Sequence, residues 1–413
     1  MSSPIINTSS PRSICLSIYH QALTRVNGRQ CVAAFLHQYP YQTPVALIAL
    51  GKAATQMAVG AFDVLGTTIS HAFLVTKVGH LDRQLIQNYP ITCLEAAHPI
   101  PDASSLAAGQ ALLDFINQLP LRFPILFLIS GGTSALVEIL APGITLSDLQ
   151  HVNQWVLGSG LDIQSINKIR KSLSAIKGGR LATYLTGHPV LNLLIADVPG
   201  DDLQVIGSGL LTPHEKQSLP PSLPNWLYRL TTQACPLAQP YHFEHITQEL
   251  VATPTLARQG ASEAAQSLNY PIFNHDEFIA GEASVVGRIL AQQLSTSAPS
   301  IHIWSSETTV HLPPQPGQGG RCQSLALAAA IELAEQNNIY LLAAGTDGND
   351  GPGPAAGALI DGGTIPRGSQ AKLNSVDCLE QADAGRFLTA SGDLIYTGPT
   401  GTNVMDIIIG WKR

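Results

Sequence analysis

Residues 316–361 read PGQGGRCQSLALAAAIELAEQNNIYLLAAGTDGNDGPGPAAGALID, a glycine-rich loop followed by a predicted helix and a predicted buried strand. Gly319 and Gly320 stand directly before Arg321, where the helix-forming run begins. Backbone N–H groups at a helix start, together with a guanidinium, suit an anion such as phosphate. The first half of this stretch therefore predicts an anion site with its N–H groups facing outward.

The second half of the stretch carries the opposite charge. The apolar run 340–344 predicts a strand, and the loop that follows contains Asp347 and Asp350 among glycines. Carboxylates on a flexible turn at the end of a strand are suitable ligands for a hard cation such as Mg²⁺. One helix and one strand thus separate a predicted anion site from a predicted cation site.

Earlier parts of the chain repeat the pattern of a buried strand followed by a glycine turn and a helix. The strand predicted at 45–50 leads into Gly51 and Lys52, and the strand predicted at 124–130 leads into a turn rich in glycine and hydroxyl groups. The turn consists of Ser130, Gly131, Gly132, Thr133 and Ser134. Such turns allow close backbone approach to bound oxygen atoms at a helix start. Neither the P-loop pattern GxxxxGK[ST] nor the nucleophile elbow GxSxG is present at these turns.

A third such strand, predicted at 190–196, is followed by Asp197. A carboxylate at the carboxyl end of a parallel strand lies at the ligand-binding edge of an open sheet, although Asp197 could instead cap the next turn. Strands that alternate with helices predict an α/β protein with doubly wound sheets. A chain of 413 residues favours two domains with a site in the cleft between them, and the Pro-rich segment before residue 240 predicts the boundary.

Two further segments carry charged residues. The rigid loop His98–Asp102 could line a site, or Asp102 or Ser104 could cap the following helix. The basic residues of 166–180 are most simply the solvated face of a helix.

The composition narrows the class of protein. Charged residues make up 12% of the chain, and the net charge is −7 without a basic cluster, so nucleic acid is not expected as a partner. The cysteines are scattered and lack metal-ligand spacing, and neither a signal peptide nor a membrane span is predicted. These features predict a cytoplasmic protein that acts on a small molecule, and a homodimer is a further expectation.

The order of the motifs resembles that of the glycerate kinases that have a carboxyl-terminal MOFRL domain. The matching motifs are GKAA at Gly51, HPIPD at His98, SGGTSAL at Ser130, INKIRKSLSAIKGGRLA at Ile166, DVPGDDLQVIGSGLLTP at Asp197, GGRCQSLALAAAI at Gly319, AAGTDGNDGP at Ala343 and TGPTGTNVMD at Thr397. One departure is Cys322, which stands where these kinases usually have a polar residue. The resemblance implies a Rossmann-like domain over 1–240 and a smaller α/β domain over 241–413, with the MOFRL region at about 300–406.

The resemblance also implies a reaction, the phosphorylation of D-glycerate by ATP, most commonly to 2-phosphoglycerate, with Mg²⁺ as the metal. It makes Lys52 and Arg321 the catalytic cations, and Asp197, Asp347 and Asp350 the candidates for catalytic base or metal ligand, with catalysis expected from Asp197 and metal binding from the other two. The expected nucleotide or substrate contacts are Gly51, Ser130, Gly131, Gly132, Thr133, Ser134, Gly319, Gly320 and Asn403. These roles agree with the need of phosphoryl transfer for positioning and charge neutralisation.

A different class of enzyme remains as the alternative. Rossmann-like sheets and glycine turns also serve NAD(P)-dependent oxidoreductases, here a hydroxypyruvate reductase. The sequence lacks GxGxxG after its first strand and lacks an acidic residue placed for a ribose, which favours the kinase.

Overall fold

The computed structural model describes residues 10–39, 41–215, 218–220 and 223–413. The chain divides into two compact units, one of residues 28–251 and one that combines residues 1–27 with 252–413. The first helix, α1 (Pro11–Arg25), belongs to the second of these units. We call them the amino-terminal unit and the carboxyl-terminal unit.

The amino-terminal unit alternates strands and helices. Its elements are α2 (Gly28–Leu36), β1 (Val45–Leu50), α3 (Ala54–Leu65), β2 (Ile69–Lys77), α4 (Arg83–Ile86), β3 (Thr92–Ala96), α5 (Ala103–Gln118), β4 (Ile125–Ile129), α6 (Thr133–Leu136), α7 (Leu146–Gly158), α8 (Ile163–Ser172), β5 (Val190–Ile195), α9 (Asn225–Thr231) and β6 (Ile246–Ala252). The strand order is β3-β2-β1-β4-β5-β6, and β1 pairs in parallel with both β2 and β4. The chain therefore winds outward in one direction from β1 and in the other from β4, which places the switch point of the sheet between these two strands.

The core of this unit explains why the predicted strands form. Every residue of β1 is buried, so both faces of the strand are covered, as its uninterrupted apolar sequence VALIAL predicts. Ile48, Phe73 and Phe127 from three neighbouring strands pack with Leu112 of α5 in one hydrophobic cluster. The sheet edge where β1, β4 and β5 end is thereby held in place, and the candidate loops follow those ends.

The carboxyl-terminal unit is built on a second sheet. Its further elements are α10 (Pro254–Ala265), β7 (Ile272–Asn274), β8 (Ile279–Glu282), α11 (Ala283–Thr296), β9 (Ser300–Thr309), α12 (Arg321–Glu332), β10 (Ile339–Gly345), β11 (Gly357–Asp361), α13 (Thr364–Ser369), α14 (Ser375–Glu380), α15 (Ala384–Ser391), β12 (Leu394–Ile395) and β13 (Asp406–Lys412). The strand order is β12-β11-β10-β13-β9-β7, and β8 pairs with β9.

This second sheet differs from the doubly wound sheet that the sequence predicts. Strand β10 pairs antiparallel with both β11 and β13, while β7 and β8 run parallel to β9. The cause is the connection from β10 to β11, which is a loop and not a crossover helix, so the chain returns in the opposite direction. The prediction of a two-domain α/β protein is confirmed, and the second sheet is mixed.

Alternate residues of β10 show how helices cover this sheet. Leu341 and Ala343 lie in a cluster with α11 and α12, whereas Leu342 and Ala344 lie in a cluster with α1 and α10. Helix α1 is therefore part of this core, although it precedes β1 in the sequence. The compact units thus differ from the predicted limits 1–240 and 241–413 at both ends, since β6 extends the first sheet to Ala252. No helix within the described residues is both long and apolar enough to cross a membrane.

Candidate active-site loops

The loops after β1 and β4 are joined by hydrogen bonds at the switch point. The Lys52 N–H donates to the carbonyl of Gly131 at 2.9 Å, and the Ala53 N–H donates to the Ser130 hydroxyl at 3.1 Å. Gly51 has a φ of +119°, and a Cβ at this position would overlap the Ser130 carbonyl and hydroxyl. A glycine is thus required for the two loops to approach, and the Lys52 backbone is fixed to the turn after β4.

The turn Ser130–Ser134 uses most of its hydroxyl groups internally. Thr133 is fully buried, and its hydroxyl lies 2.7 Å from the Ser130 carbonyl and 3.0 Å from the Leu50 carbonyl. Ser130 is also fully buried, and its hydroxyl accepts the Ala53 bond. The sequence predicts that these hydroxyls hold substrate oxygens. In the structure they tie the turn to the end of β1, and their contact with a ligand stays a prediction.

Gly132 brings a histidine next to Lys52. With a φ of +88°, it precedes the single turn of α6, and a Cβ here would lie 3.1 Å from His98 Cδ2 and 3.2 Å from Lys52 Cγ. Both side chains therefore flank the Gly132 backbone. Asp102, from the same loop as His98, caps α5 by accepting the Ser104 N–H at 2.8 Å. The loop thus supplies a histidine at the switch point and a cap for α5.

The loop after β5 joins the same sheet edge. Asp197 lies two residues after the end of β5 and is half-buried. Farther along this segment, the Ser208 hydroxyl lies 2.7 Å from the Ser134 hydroxyl, which links the segment to the turn after β4. Ser208 was not identified from the sequence, since its position depends on a left-handed backbone with a φ of +62° in the run Gly207–Gly209. The Asp197 segment and the turn after β4 are thus joined at this edge.

Arg321 forms an ion pair that the sequence analysis missed. Its Nε lies 2.6 Å from one carboxylate oxygen of Asp406 and its Nη2 lies 3.1 Å from the other, while Nη1 lies 3.3 Å from Glu307. Burial by itself lowers the pKa of the guanidinium, but the charge and hydrogen bonds of Asp406 outweigh this effect and the pKa is raised. The pair fixes the direction of the Arg321 side chain. The side chain is 35% exposed.

The start of α12 is capped by Asp350. One carboxylate oxygen accepts the Cys322 N–H at 3.0 Å, and the other accepts the Gln323 N–H at 2.8 Å. Burial, and then the charge of Asp406, raises the pKa of this carboxyl to about 6. The N–H groups of Cys322 and Gln323 therefore do not face outward to a phosphate, because a carboxylate of the protein, 4% exposed, already accepts them. The contacts predicted for Gly319 and Gly320 stay predictions.

The loop that carries Asn403 lies against the loop that carries Asp347. The Thr346 hydroxyl accepts the Val404 N–H at 2.8 Å and donates to the Met405 carbonyl at 2.6 Å, and the Thr400 hydroxyl donates to the Thr346 carbonyl at 2.5 Å. One oxygen of Asp347 accepts the Asn349 N–H at 3.0 Å. Asn403 and Asp347 therefore belong to one pair of bonded loops in the carboxyl-terminal unit.

The two predicted metal ligands, Asp347 and Asp350, differ in how well they suit a magnesium ion. Both oxygens of Asp350 are directed at α12, so the geometry gives this residue a capping role, and its role as a metal ligand stays a prediction. Asp347 is half-buried on a loop and has the chemistry of a single Mg²⁺ ligand. Across the part of the chain that the structure describes, no group of three or more His, Cys, Asp or Glu could hold a metal.

The basic segment 166–180 is not a solvated face. Lys177 is 3% exposed and forms an ion pair with the fully buried Glu138. Arg180 is 6% exposed and donates to the carbonyls of Cys235 and Lys177 at 3.0 and 2.8 Å. These charges are buried because the segment after α8 folds inward, a tertiary feature that helical periodicity does not predict.

The strand order and these loops define the class of the protein: a two-unit α/β protein whose parallel sheet carries candidate ligand loops at its switch point. Two family models match the chain, the domain of unknown function DUF4147 at residues 14–220 and the MOFRL family at residues 300–406. The D-glycerate 2-kinase of Thermotoga maritima is 35% identical over 89% of this chain and 90% of its own length. A relative from Agrobacterium vitis with the name "Putative hydroxypyruvate reductase" is 31% identical over 97% of this chain and 94% of its own.

A solved structure agrees with these relatives. The crystal structure of glycerate kinase from Thermotoga maritima superposes with a TM-score of 0.83 at 32% sequence identity, covering 97% of this chain and 99% of that one. The chain belongs to the MOFRL-containing glycerate kinase family, in which a DUF4147 domain precedes a MOFRL domain. The family resemblance predicted from the sequence motifs is confirmed.

Proposed function

We propose that this protein is a D-glycerate 2-kinase that transfers the terminal phosphoryl group of ATP to D-glycerate. The observation that carries the proposal is the joined pair of loops at the switch point, where Lys52 and His98 flank Gly132. The 35% identity to the D-glycerate 2-kinase of Thermotoga maritima supports the choice of substrate.

In this proposal Lys52 neutralises the charge that spreads over the phosphoryl oxygens during transfer. The Lys52 backbone is bonded to Gly131, so its side chain starts from a fixed position beside Gly132. A preorganised cation of this kind stabilises the transition state without moving during the reaction. Asp197, at the end of β5, is proposed to orient the glycerate hydroxyl and to accept its proton.

The carboxyl-terminal unit is proposed to supply Arg321, Asp347 and Asn403. Arg321 keeps a defined direction because Asp406 holds two of its nitrogens, and its remaining exposed area can meet a carboxylate or a phosphate. Asp347 is the proposed ligand of Mg²⁺, which would neutralise nucleotide phosphates when bound. Asn403 is proposed to contact the nucleotide from the neighbouring loop. The predicted interdomain cleft stays a prediction.

The proposed metal role can be tested on Asp347→Asn. This variant keeps the size of the side chain and removes its charge, so the Mg²⁺ concentration for half-maximal activity should rise by about tenfold or more, as expected for the loss of a charged ligand contact. A Mg²⁺ titration of the kinase activity measures this. An unchanged requirement would remove Asp347 from metal binding.

The name of the Agrobacterium relative makes hydroxypyruvate reductase the second candidate. Purified full-length protein is incubated with D-glycerate and ATP, and separately with hydroxypyruvate and NADH or NADPH. The kinase proposal predicts ADP formation that depends on D-glycerate, with no change in nicotinamide absorbance. Oxidation of the nicotinamide without ADP formation would reject it. Phosphorus NMR of the turnover mixture then distinguishes 2-phosphoglycerate from 3-phosphoglycerate.

A further inference from the structure

The amino-terminal unit contains a cavity of about 640 Å³ away from the Lys52 turn in sequence. Its lining includes three cationic residues and one acidic residue, Lys168, Lys171, Arg180 and Glu215, together with His214, Tyr228 and Cys235. A volume in this range accommodates a small organic ligand rather than a single ion. The wall thus carries three cations and one carboxylate, and this excess of positive charge beside the ring of Tyr228 suits an anionic organic molecule.

Lys171 is held at the wall by two neutral acceptors. Its Nζ lies 2.8 Å from the Gln204 carbonyl and 2.7 Å from His214 Nε2. His214 Nδ1 lies 2.9 Å from the Thr212 carbonyl, which can only accept, so Nδ1 carries the ring proton and Nε2 accepts from the lysine. Burial lowers the pKa of His214, which agrees with a neutral ring. The positive charge of this pair therefore resides on Lys171.

Arg180 is a second buried cation whose partners are neutral. Its hydrogen bonds reach the carbonyls of Cys235, Lys177 and Lys171. Lys177 provides the contrast nearby, because it is buried to a similar degree and has Glu138 as its counter-ion. Among the residues that the structure describes, neither Lys171 nor Arg180 forms a salt bridge with a carboxylate.

Burying cations without a counter-ion is unfavourable unless an anion arrives from outside. Burial lowers the pKa of Lys171 to about 8, and the charge of Arg180 lowers it as well, against an opposing attraction from Asp202. The charges of these two cations, next to an open cavity, are therefore not balanced by a salt bridge within the described part of the chain. Both residues line the same cavity, so an anion bound there could pair with both.

We propose that this cavity binds the phosphate group of a small organic phosphate, with Lys171 and Arg180 as its charge partners. The cavity wall is connected to the candidate active-site loops. The Gly178 N–H donates to the Ser208 carbonyl at 3.0 Å, and the Ser208 hydroxyl is bonded to that of Ser134 in the turn after β4. The phosphate can come from a nucleotide or from a phosphorylated three-carbon acid, and both belong to the chemistry of the proposed kinase.

The test is a set of calorimetric titrations of the full-length protein with inorganic phosphate, 2-phosphoglycerate and ATP. Lys171→Gln removes the charge and keeps hydrogen-bonding capacity. We expect the Kd of at least one of these compounds to rise by about tenfold or more, as for the loss of a charge-assisted hydrogen bond. The compound whose binding is weakened in the variant identifies the source of the phosphate. Lys171→Arg, which restores the charge, should recover most of the affinity.

A matched control is Lys372→Gln, which makes the same change at an exposed lysine of the carboxyl-terminal unit and should leave every Kd within about twofold. Lys168→Gln, in the lining of the same cavity, provides a second variant if Lys171→Gln unfolds. The proposal is overturned if none of the three compounds binds the wild type, or if the cavity variants bind all three as tightly as it does.

The proposed phosphate site is tested by binding, so its failure differs from a failure of the proposed function. Loss of phosphate affinity in Lys171→Gln, in a protein that does not phosphorylate D-glycerate, would reject the kinase and keep the site. Normal phosphate affinity in Lys171→Gln, in a protein that does phosphorylate D-glycerate, would reject the site and keep the kinase.

Discussion

The buried ion pair between Lys177 and Glu138 gives a quantitative prediction for the segment that forms one wall of the phosphate cavity. Glu138 is fully buried, and its other carboxylate oxygen accepts the Ser174 hydroxyl at 2.6 Å. Replacing Lys177 with Met keeps a long side chain in place but removes the positive charge. Glu138 is then left with a single hydroxyl as its partner in a water-excluded position.

The expected cost is large, because a buried charge loses its counter-ion. Removing one member of a buried ion pair costs about 3–5 kcal/mol. This is a large share of the free energy of unfolding of a typical domain, which is only about 5–15 kcal/mol in total. The double variant Glu138→Leu, Lys177→Met removes both charges, and replacement of a buried pair by apolar groups is often neutral. We therefore expect the double variant to recover most of the loss, within about 1 kcal/mol of wild type.

Urea unfolding followed by circular dichroism measures the free energy of unfolding for the wild type, both single variants and the double variant. Lys372→Met, at an exposed position, is the matched control and should change stability by less than about 0.5 kcal/mol. A loss below about 1 kcal/mol for Lys177→Met, or a double variant no better than the single one, would refute the electrostatic reasoning.

Three further predictions concern the candidate site and the cavity. Lys52→Ala should lower the turnover of D-glycerate by about 10²-fold or more with little change in melting temperature, because it removes a preorganised charge. Steady-state kinetics measure this effect, and near-normal turnover would remove Lys52 from the mechanism. Gly132→Ala should lower turnover and cost about 1–2 kcal/mol of stability. Alanine disfavours a φ of +88°, and its methyl group would lie 3.1–3.2 Å from atoms of His98 and Lys52. Wild-type turnover together with wild-type stability in urea unfolding would contradict this prediction. Phosphate affinity should decrease as the pH rises through about 8, where half-buried Lys171 loses its proton. Lys171→Arg should retain affinity to higher pH. Parallel pH profiles for the two proteins would exclude Lys171 as the titrating group.

Much of the fold follows from local sequence patterns. The apolar runs that form β1, β4 and β5 are where the sequence predicts them, because a strand buried on both faces needs uninterrupted apolar residues. Gly51 and Gly132 also follow from local rules, since each occupies a positive φ in a turn after a strand. The family followed from the order of the motifs between GKAA at Gly51 and TGPTGTNVMD at Thr397.

The contacts of the candidate site depended instead on residues that are distant in the sequence. Arg321 and Asp406 are 85 residues apart, and they meet because Arg321 opens α12 while Asp406 opens β13, at the centre of the second sheet. The Asp350 cap on α12 likewise depends on where the loop after β10 returns. A hydrogen bond of this kind has no local signal, because its partner is chosen by strand order and not by spacing.

The sequence by itself determined which segments become strands, where the turns need glycine, and which family the chain belongs to. Only the tertiary structure decided that α1 covers the second sheet, that a carboxylate of the protein caps α12, and that Lys171 and Arg180 line one cavity. The physical reason is that propensity and periodicity act over a few residues, whereas burial and charge pairing are set when distant segments pack together.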